Sequence, residues 1–230
     1  MDRIILFDVD QTLLYSGGAG SRAMAKAFLE LYGIEDGFGR VEFSGRTDSS
    51  ILQQALRQHG LLDGDDAWFE TERKRFQGTY YRLLEPTLEE VTGGTVMPGV
   101  PALLARLSEE PGVRQGLATG NFREAAFIKL RYFQLDGHLD EGGFGEDALD
   151  RGEMVGVAIE RLANGSAPDP RSVWIVGDTP LDIAAAQANG ARSLGVGTGS
   201  SSAEELRSIG ADVSLDDLSD LDAVLSALLD

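Results

Sequence analysis

The chain has 230 residues, 42% of them hydrophobic, with 38 acidic against 20 basic side chains and a formal net charge of −18. That length buries a sizeable core, as one large α/β domain or a core with a smaller insert, and the lack of cysteine excludes disulfides, thiolate zinc sites and cysteine nucleophiles. The acidic balance argues against a nucleic-acid partner; no apolar run approaches the roughly 20 residues that span a bilayer, and nothing directs export, so a cytoplasmic location is expected.

In chain order, residues 3 to 9 read as a buried strand, β-branched and almost continuous. "SGGAG" at 16 to 20 is a connector; with no Gly-Lys-Ser/Thr after it, it is not a P-loop. Residues 19 to 33 predict a helix. A second helix follows "SGRTD", with Thr47 or Asp48 placed to cap it. Residues 65 to 83 predict a third, and Trp68, Phe69, Phe76, Tyr80 and Tyr81 have the spacing of its packed face, with part of the cluster available to line a substrate pocket. From 16 to 88, then, the chain is helical, with no convincing long strand.

The pattern changes after the loop "TGGTVMPGV". "VRQGLATG" and "SVWIVGD" read as strands, each followed by a helix. Thr179 and Pro180 open the second of these helices and Gly190 closes it. "ARSLGVGTG" is the next strand, and residues 217 to 229 form the last helix. Strands alternating with helices predict a Rossmann-like, doubly wound parallel sheet. The expected division is a catalytic core of 1–15 and 89–230, with 16–88 as an inserted helical cap.

Ligands in such sheets bind beyond the carboxyl ends of the strands. Three strands end there in polar residues: Asp8 and Asp10, Thr119 to Asn121, and Asp178. Asp8 and Asp10 are two apart, so an extended backbone points both the same way. Asp178 and Asp182 share one face of a helix start. Two like charges at 4 Å repel by about 4 kcal/mol at an effective dielectric of 20. Four carboxylates in one crevice therefore call for a hard cation, and Mg²⁺ fits an all-oxygen ligand set of Asp8, Asp10, Asp178 and Asp182. A metal beside a carboxylate suits phosphoryl transfer, in which an Asp attacks phosphorus. The Thr119 hydroxyl and the amides of Gly120 and Asn121 at a helix start would hold the phosphoryl oxygens.

"DVDQT", "LATGN", an arginine-bearing loop and "VGDTPLD", in that order, resemble the four motifs of the haloacid dehalogenase superfamily. The helical insert resembles the cap of its phosphoglycolate phosphatase and β-phosphoglucomutase branch. The resemblance implies a mobile cap, Mg²⁺, Asp8 as nucleophile, Asp10 as acid and base, Thr119 as phosphate ligand, Asp178 as metal ligand and Asp182 as an outer or supporting carboxylate. Two positions depart from the family pattern. Gln11 stands where glycine is usual, stiffening the turn. The third motif lacks its lysine, and Arg151 in "LDRGEM" occupies that place; Lys129, in mid-helix, is the fallback and reads as a surface or packing residue. Arg46, in the cap loop, is placed to hold a substrate carboxylate or second phosphate. The expected activity, by resemblance to phosphoglycolate phosphatase, is hydrolysis of a small phosphorylated metabolite through an aspartyl-phosphate, by a monomer or homodimer. A phosphosugar mutase is the alternative, ahead of a haloacid dehalogenase or a non-catalytic binding protein.

Overall fold

The computed structural model describes residues 2–62, 64–139 and 141–230. Strand β1 (Arg3–Phe7) lies mid-sheet. β2 (Leu14–Tyr15) and β3 (Thr95–Val96) form a separate antiparallel pair. With β4 (Val113–Ala118), β5 (Gly142–Gly143), β6 (Val173–Gly177), β7 (Arg192–Val196) and β8 (Val213–Leu215), β1 builds a parallel sheet in the order β5-β4-β1-β6-β7-β8. The strand order reverses at β1, between β4 and β6, which opens a crevice at the carboxyl ends of these three strands.

Strand alternation builds two cores. Ile5 and Phe7 of β1 face the cluster that contains α4 (Val100–Ser108) and α9 (Leu221–Leu229). Ile4 and Leu6 face α6 (Arg151–Ala163) and α7 (Pro180–Ala188) on the opposite side. The short α8 (Ala203–Ser208) packs at the β7–β8 end.

A third core belongs to the helices between β2 and β3. These are α1 (Ala19–Tyr32), α2 (Asp48–Gln58) and α3 (Asp66–Glu90), which bury Phe28, Leu52, Phe76 and Tyr80 together with Phe122 and Ala125 at the start of α5 (Arg123–Tyr132). Thr47 caps α2 by accepting from the Ser50 amide at 3.2 Å. α3 runs to Glu90, past the expected end at 83, although Pro86 interrupts its hydrogen bonding. Burial of Leu84, Thr87 and Leu88 outweighs the lost bond.

Candidate active site

Asp8 follows β1 and continues its ladder, its amide donating to the Val176 carbonyl at 2.9 Å. It keeps the parity of Ile4 and Leu6, so it faces α6, whose first residue is Arg151. The Arg151 Nη2 lies 3.0 Å from Asp8 Oδ1 and also bonds Asp182 Oδ1; Nη1 donates to the Gly45 carbonyl at 3.0 Å. The place assigned to Arg151 thus brings it onto the nucleophile candidate. Buried between two carboxylates, the guanidinium stays charged.

Asp178, after β6, sits beside them. Carboxylate oxygens of Asp8, Asp178 and Asp182 lie within 4.8 Å of one another. Asp178 Oδ1 accepts from the Thr12 hydroxyl at 3.1 Å, whereas its Oδ2 is buried with no hydrogen-bond partner among the described residues. Burial pushes Asp8 up to about 6, against the pull of Arg151 and with the help of Asp182 and Asp10. Burial, then the charges of Asp8 and Asp182, push Asp178 up to about 8. An orphaned buried carboxylate oxygen in an all-oxygen cluster fits a hard divalent cation. Asp182 is differently engaged: its Oδ2 accepts from the Thr179 amide at 3.0 Å and hydroxyl at 2.7 Å, closing a capping box on α7. With both oxygens committed, Asp182 suits the supporting role better than the ligand role.

Asp10 corrects the expectation that all four carboxylates converge. β1 ends at Phe7, and the chain turns through Gln11 at a left-handed φ of 65°. This conformation costs an ordinary residue roughly 1–2 kcal/mol. Gln11 is held in it by its amide donating to the Leu14 carbonyl at 2.6 Å and by Thr198 Oγ1 donating to its own carbonyl at 2.5 Å. The Asp10 carboxylate therefore turns away from the acidic cluster and accepts from Lys129 Nζ at 2.5 Å and Asn121 Nδ2 at 2.8 Å.

Lys129 is the second correction. It is 3% exposed, and its Nζ also donates to Asn121 Oδ1 at 2.6 Å. Helical side chains lean toward the helix N-terminus, so a long lysine two turns into α5 reaches back to the loop that precedes it. Mid-helix position alone hid this. The family's single lysine is thus matched here by two cations, Arg151 on Asp8 and Lys129 on Asp10.

The loop after β4 carries Thr119, Gly120 and Asn121. Thr119 Oγ1 is fully buried and accepts from the Asn121 amide at 3.3 Å and from its Nδ2 at 2.8 Å. Gly120 is required by close approach: a Cβ there would lie 2.1 Å from the Arg46 carbonyl oxygen. Of the amides at the start of α5, those after Asn121 are taken by the protein itself. The Phe122 amide donates to Asp48 Oδ2 at 2.9 Å and the Arg123 amide to Glu146 Oε2 at 2.8 Å. Carboxylates of the protein take these helix-end amides instead.

A cavity of about 340 Å³ joins these parts, running from Asp8 and Asp178 to Met24, Phe43 and Ile51 of the helical layer. Arg46 lines it, yet pairs with Glu42 at 3.0 Å and is largely exposed. Asp48 and Tyr80 also line it; Tyr80 belongs to the aromatic cluster expected in part at the substrate pocket, whereas Asp48 reads only as a helix-start residue. Those packing and helix-start roles also hold. Burial, first, pushes Asp48 up to about 7.

A family model described as haloacid dehalogenase-like hydrolase matches residues 3–190. A phosphoglycolate phosphatase of Rhodospirillum rubrum is 26% identical over 96% of this chain and 90% of its own length. Two solved structures share the fold. A predicted phosphatase from Clostridium acetobutylicum has a TM-score of 0.70 at 20% identity, over 99% of this chain and all of its own. CbbY from Rhodobacter sphaeroides, in complex with phosphate, has a TM-score of 0.70 at 19% identity, over 96% of each chain. With most of its length matched and the motif carboxylates gathered at one crevice, this chain belongs to the haloacid dehalogenase-like hydrolases.

Proposed function

We propose that the protein is a Mg²⁺-dependent phosphatase of small phosphomonoesters, working through an aspartyl-phosphate on Asp8. The observation that carries this reading is Asp8 held by Arg151 at 3.0 Å, with carboxylate oxygens of Asp178 and Asp182 within 4.8 Å of its own. The similarity to a curated phosphatase supports it. Asp8 and Asp178 would hold the metal, with Asp182 in support. When bound, Mg²⁺ offsets the negative charge of carboxylate and phosphoryl group.

Arg151 orients Asp8 and leaves one carboxylate oxygen directed at phosphorus. As the Asp8 O–P bond forms and the ester P–O bond breaks, Asp10 gives its proton to the leaving oxygen. Lys129 and Asn121 hold Asp10 in place for this transfer. Asp10 then takes a proton from water, whose oxygen attacks phosphorus and frees Asp8 and inorganic phosphate. Thr119 and the Gly120 backbone frame the phosphoryl oxygens. The layer of α1 to α3, from Ala19 to Glu90 and so two residues past the expected insert of 16–88, acts as the cap that excludes bulk water.

The test is phosphate release from a panel of small phosphomonoesters. Turnover should vanish with EDTA, return with Mg²⁺, and be lost in Asp8→Asn. A phosphosugar mutase would share the Asp8 chemistry but return the phosphoryl group to a sugar hydroxyl, so isomerisation without release would replace this reading. Turnover indifferent to EDTA would refute it.

A further inference from the structure

Beyond the carboxylates, the buried wall of the cavity holds no uncommitted cation among the described residues. Three basic residues line the cavity; two are buried and committed to carboxylates, and the third, Arg46, is exposed and makes only a surface pair. Arg151 holds Asp8, Asp182 and the Gly45 carbonyl. Lys129 holds Asp10 and Asn121. Arg46 faces solvent and holds Glu42. Against these, two buried side chains on the wall, Asp48 and Tyr80, have hydrogen-bonding capacity left. Asp48 is 7% exposed; one oxygen is fixed by the Phe122 amide, and the other has no hydrogen-bond partner among the described residues. Tyr80 is 1% exposed, and its hydroxyl likewise has no partner among them. That hydroxyl approaches the first turn of α1 at Gly20, where a Cβ would stand 3.6 Å from it and 3.1 Å from Lys129 Nζ. Glycine there keeps the space between the tyrosine and the lysine open.

Resting on the phosphatase reading, we propose that Asp48 is a specificity-determining residue, selecting esters whose leaving group is non-anionic and bears a hydrogen-bond donor, and rejecting those that bear a carboxylate. A hydroxyl or an ammonium group would donate to the free Asp48 oxygen. A hydroxyl could in addition accept from Tyr80, whose proton is held firmly by burial. Above about pH 7, where Asp48 is ionised, a substrate carboxylate would meet a like charge in a low-dielectric wall whose two buried cations, Arg151 and Lys129, are already committed. The backbone fixes the Asp48 carboxylate through Phe122, so it cannot swing aside without giving up a buried bond.

Three two-carbon esters of matched size test this: phosphoglycolate, hydroxyethyl phosphate and phosphoethanolamine. They are assayed on the full chain with Mg²⁺ at about pH 8, above the value near 7 to which burial raises Asp48. The expected kcat/KM for the better of the last two exceeds that for phosphoglycolate by about tenfold or more, and which of them leads identifies hydroxyl or ammonium. Asp48→Asn keeps an oxygen for the Phe122 amide and removes the charge. It should shrink that ratio by about tenfold, chiefly by improving phosphoglycolate. Tyr80→Phe, which keeps the ring in the core, should lower the ratio of hydroxyethyl phosphate to phosphoethanolamine. Turnover of p-nitrophenyl phosphate reports whether each variant retains a working site, so an unfolded Asp48→Asn leaves the decision to the wild-type ratio and Tyr80→Phe. Equal or faster hydrolysis of phosphoglycolate, or a ratio that Asp48→Asn leaves unmoved, overturns the proposal while sparing the phosphatase reading. No phosphate from any ester, p-nitrophenyl phosphate included, overturns both.

Discussion

Arg151 holds two carboxylates on one guanidinium, and the whole group is buried. Arg151→Met fills similar space but leaves Asp8 and Asp182 facing each other unpaired. Breaking a buried pair in this way costs about 3–5 kcal/mol. Urea denaturation should show a loss of that order, and phosphate release should fall at least ~100-fold because Asp8 loses its orientation. Arg151→Lys restores the charge without the fork and should recover stability better than turnover. Gly199 offers a finer probe. A Cβ there would lie 1.8 Å from Asp178 Oδ2, so Gly199→Ala must displace that oxygen or the loop that carries position 199. Calorimetric titration should find Mg²⁺ affinity reduced at least ~10-fold, with the far-UV spectrum unchanged. Asp8, Thr119 and Asp178 were legible because each ends a strand, and the ends of neighbouring parallel strands meet. Lys129 and Asp48 were not. Their roles depend on how far a side chain reaches between helices, and one-dimensional spacing does not encode that distance.

The start of α5 and the start of α2 form one joint. The Asp48 amide donates to the Gly120 carbonyl at 2.6 Å, while the Asp48 carboxylate accepts from the Phe122 amide at 2.9 Å. The helical layer is thereby clasped to the loop that carries Thr119. Burial keeps Asp48 protonated up to about 7 in the folded chain, against about 4 when unfolded. The folded state binds this proton more tightly, so its contribution to stability is complete below about pH 4 and is lost as pH rises through about 7. Asp48→Asn cannot lose a proton. The melting temperature of Asp48→Asn minus that of wild type should therefore climb between about pH 4 and 8, by a few degrees. A difference independent of pH would show that the clasp does not hold a proton. At this scale, helices with a cap signal were plain: Thr47 opens α2, and Thr179 with Pro180 opens α7. The two- and three-residue strands β2, β3, β5 and β8 were not, since so short a run has no period to read. α3 ran past Pro86 because tertiary burial overrode a local breaker.

Across the molecule, 38 acidic side chains face 20 basic ones, and the net charge of −18 is spread over a chain of 230 residues. Self-repulsion on this scale opposes compaction, and added salt screens it once the Debye length falls toward 10 Å, near 0.1 M. Sodium chloride should therefore raise the melting temperature smoothly, with no saturating step. Magnesium should act in two separable ways. As a salt it screens like sodium at matched ionic strength. Bound at Asp8 and Asp178 it would favour the folded state alone, adding about 2.7 kcal/mol when its concentration is a hundredfold above Kd. That part should saturate, and calcium or sodium should not reproduce its full size if the cavity prefers a small, octahedral ion. Asp178→Asn keeps an acceptor for the Thr12 hydroxyl while removing a ligand charge. In that variant the saturating part of the magnesium curve should vanish and the screening part remain. A magnesium curve in wild type that merely overlays the sodium curve would mean that the three buried carboxylates are balanced by Arg151 and by protons alone, and that no metal completes the site.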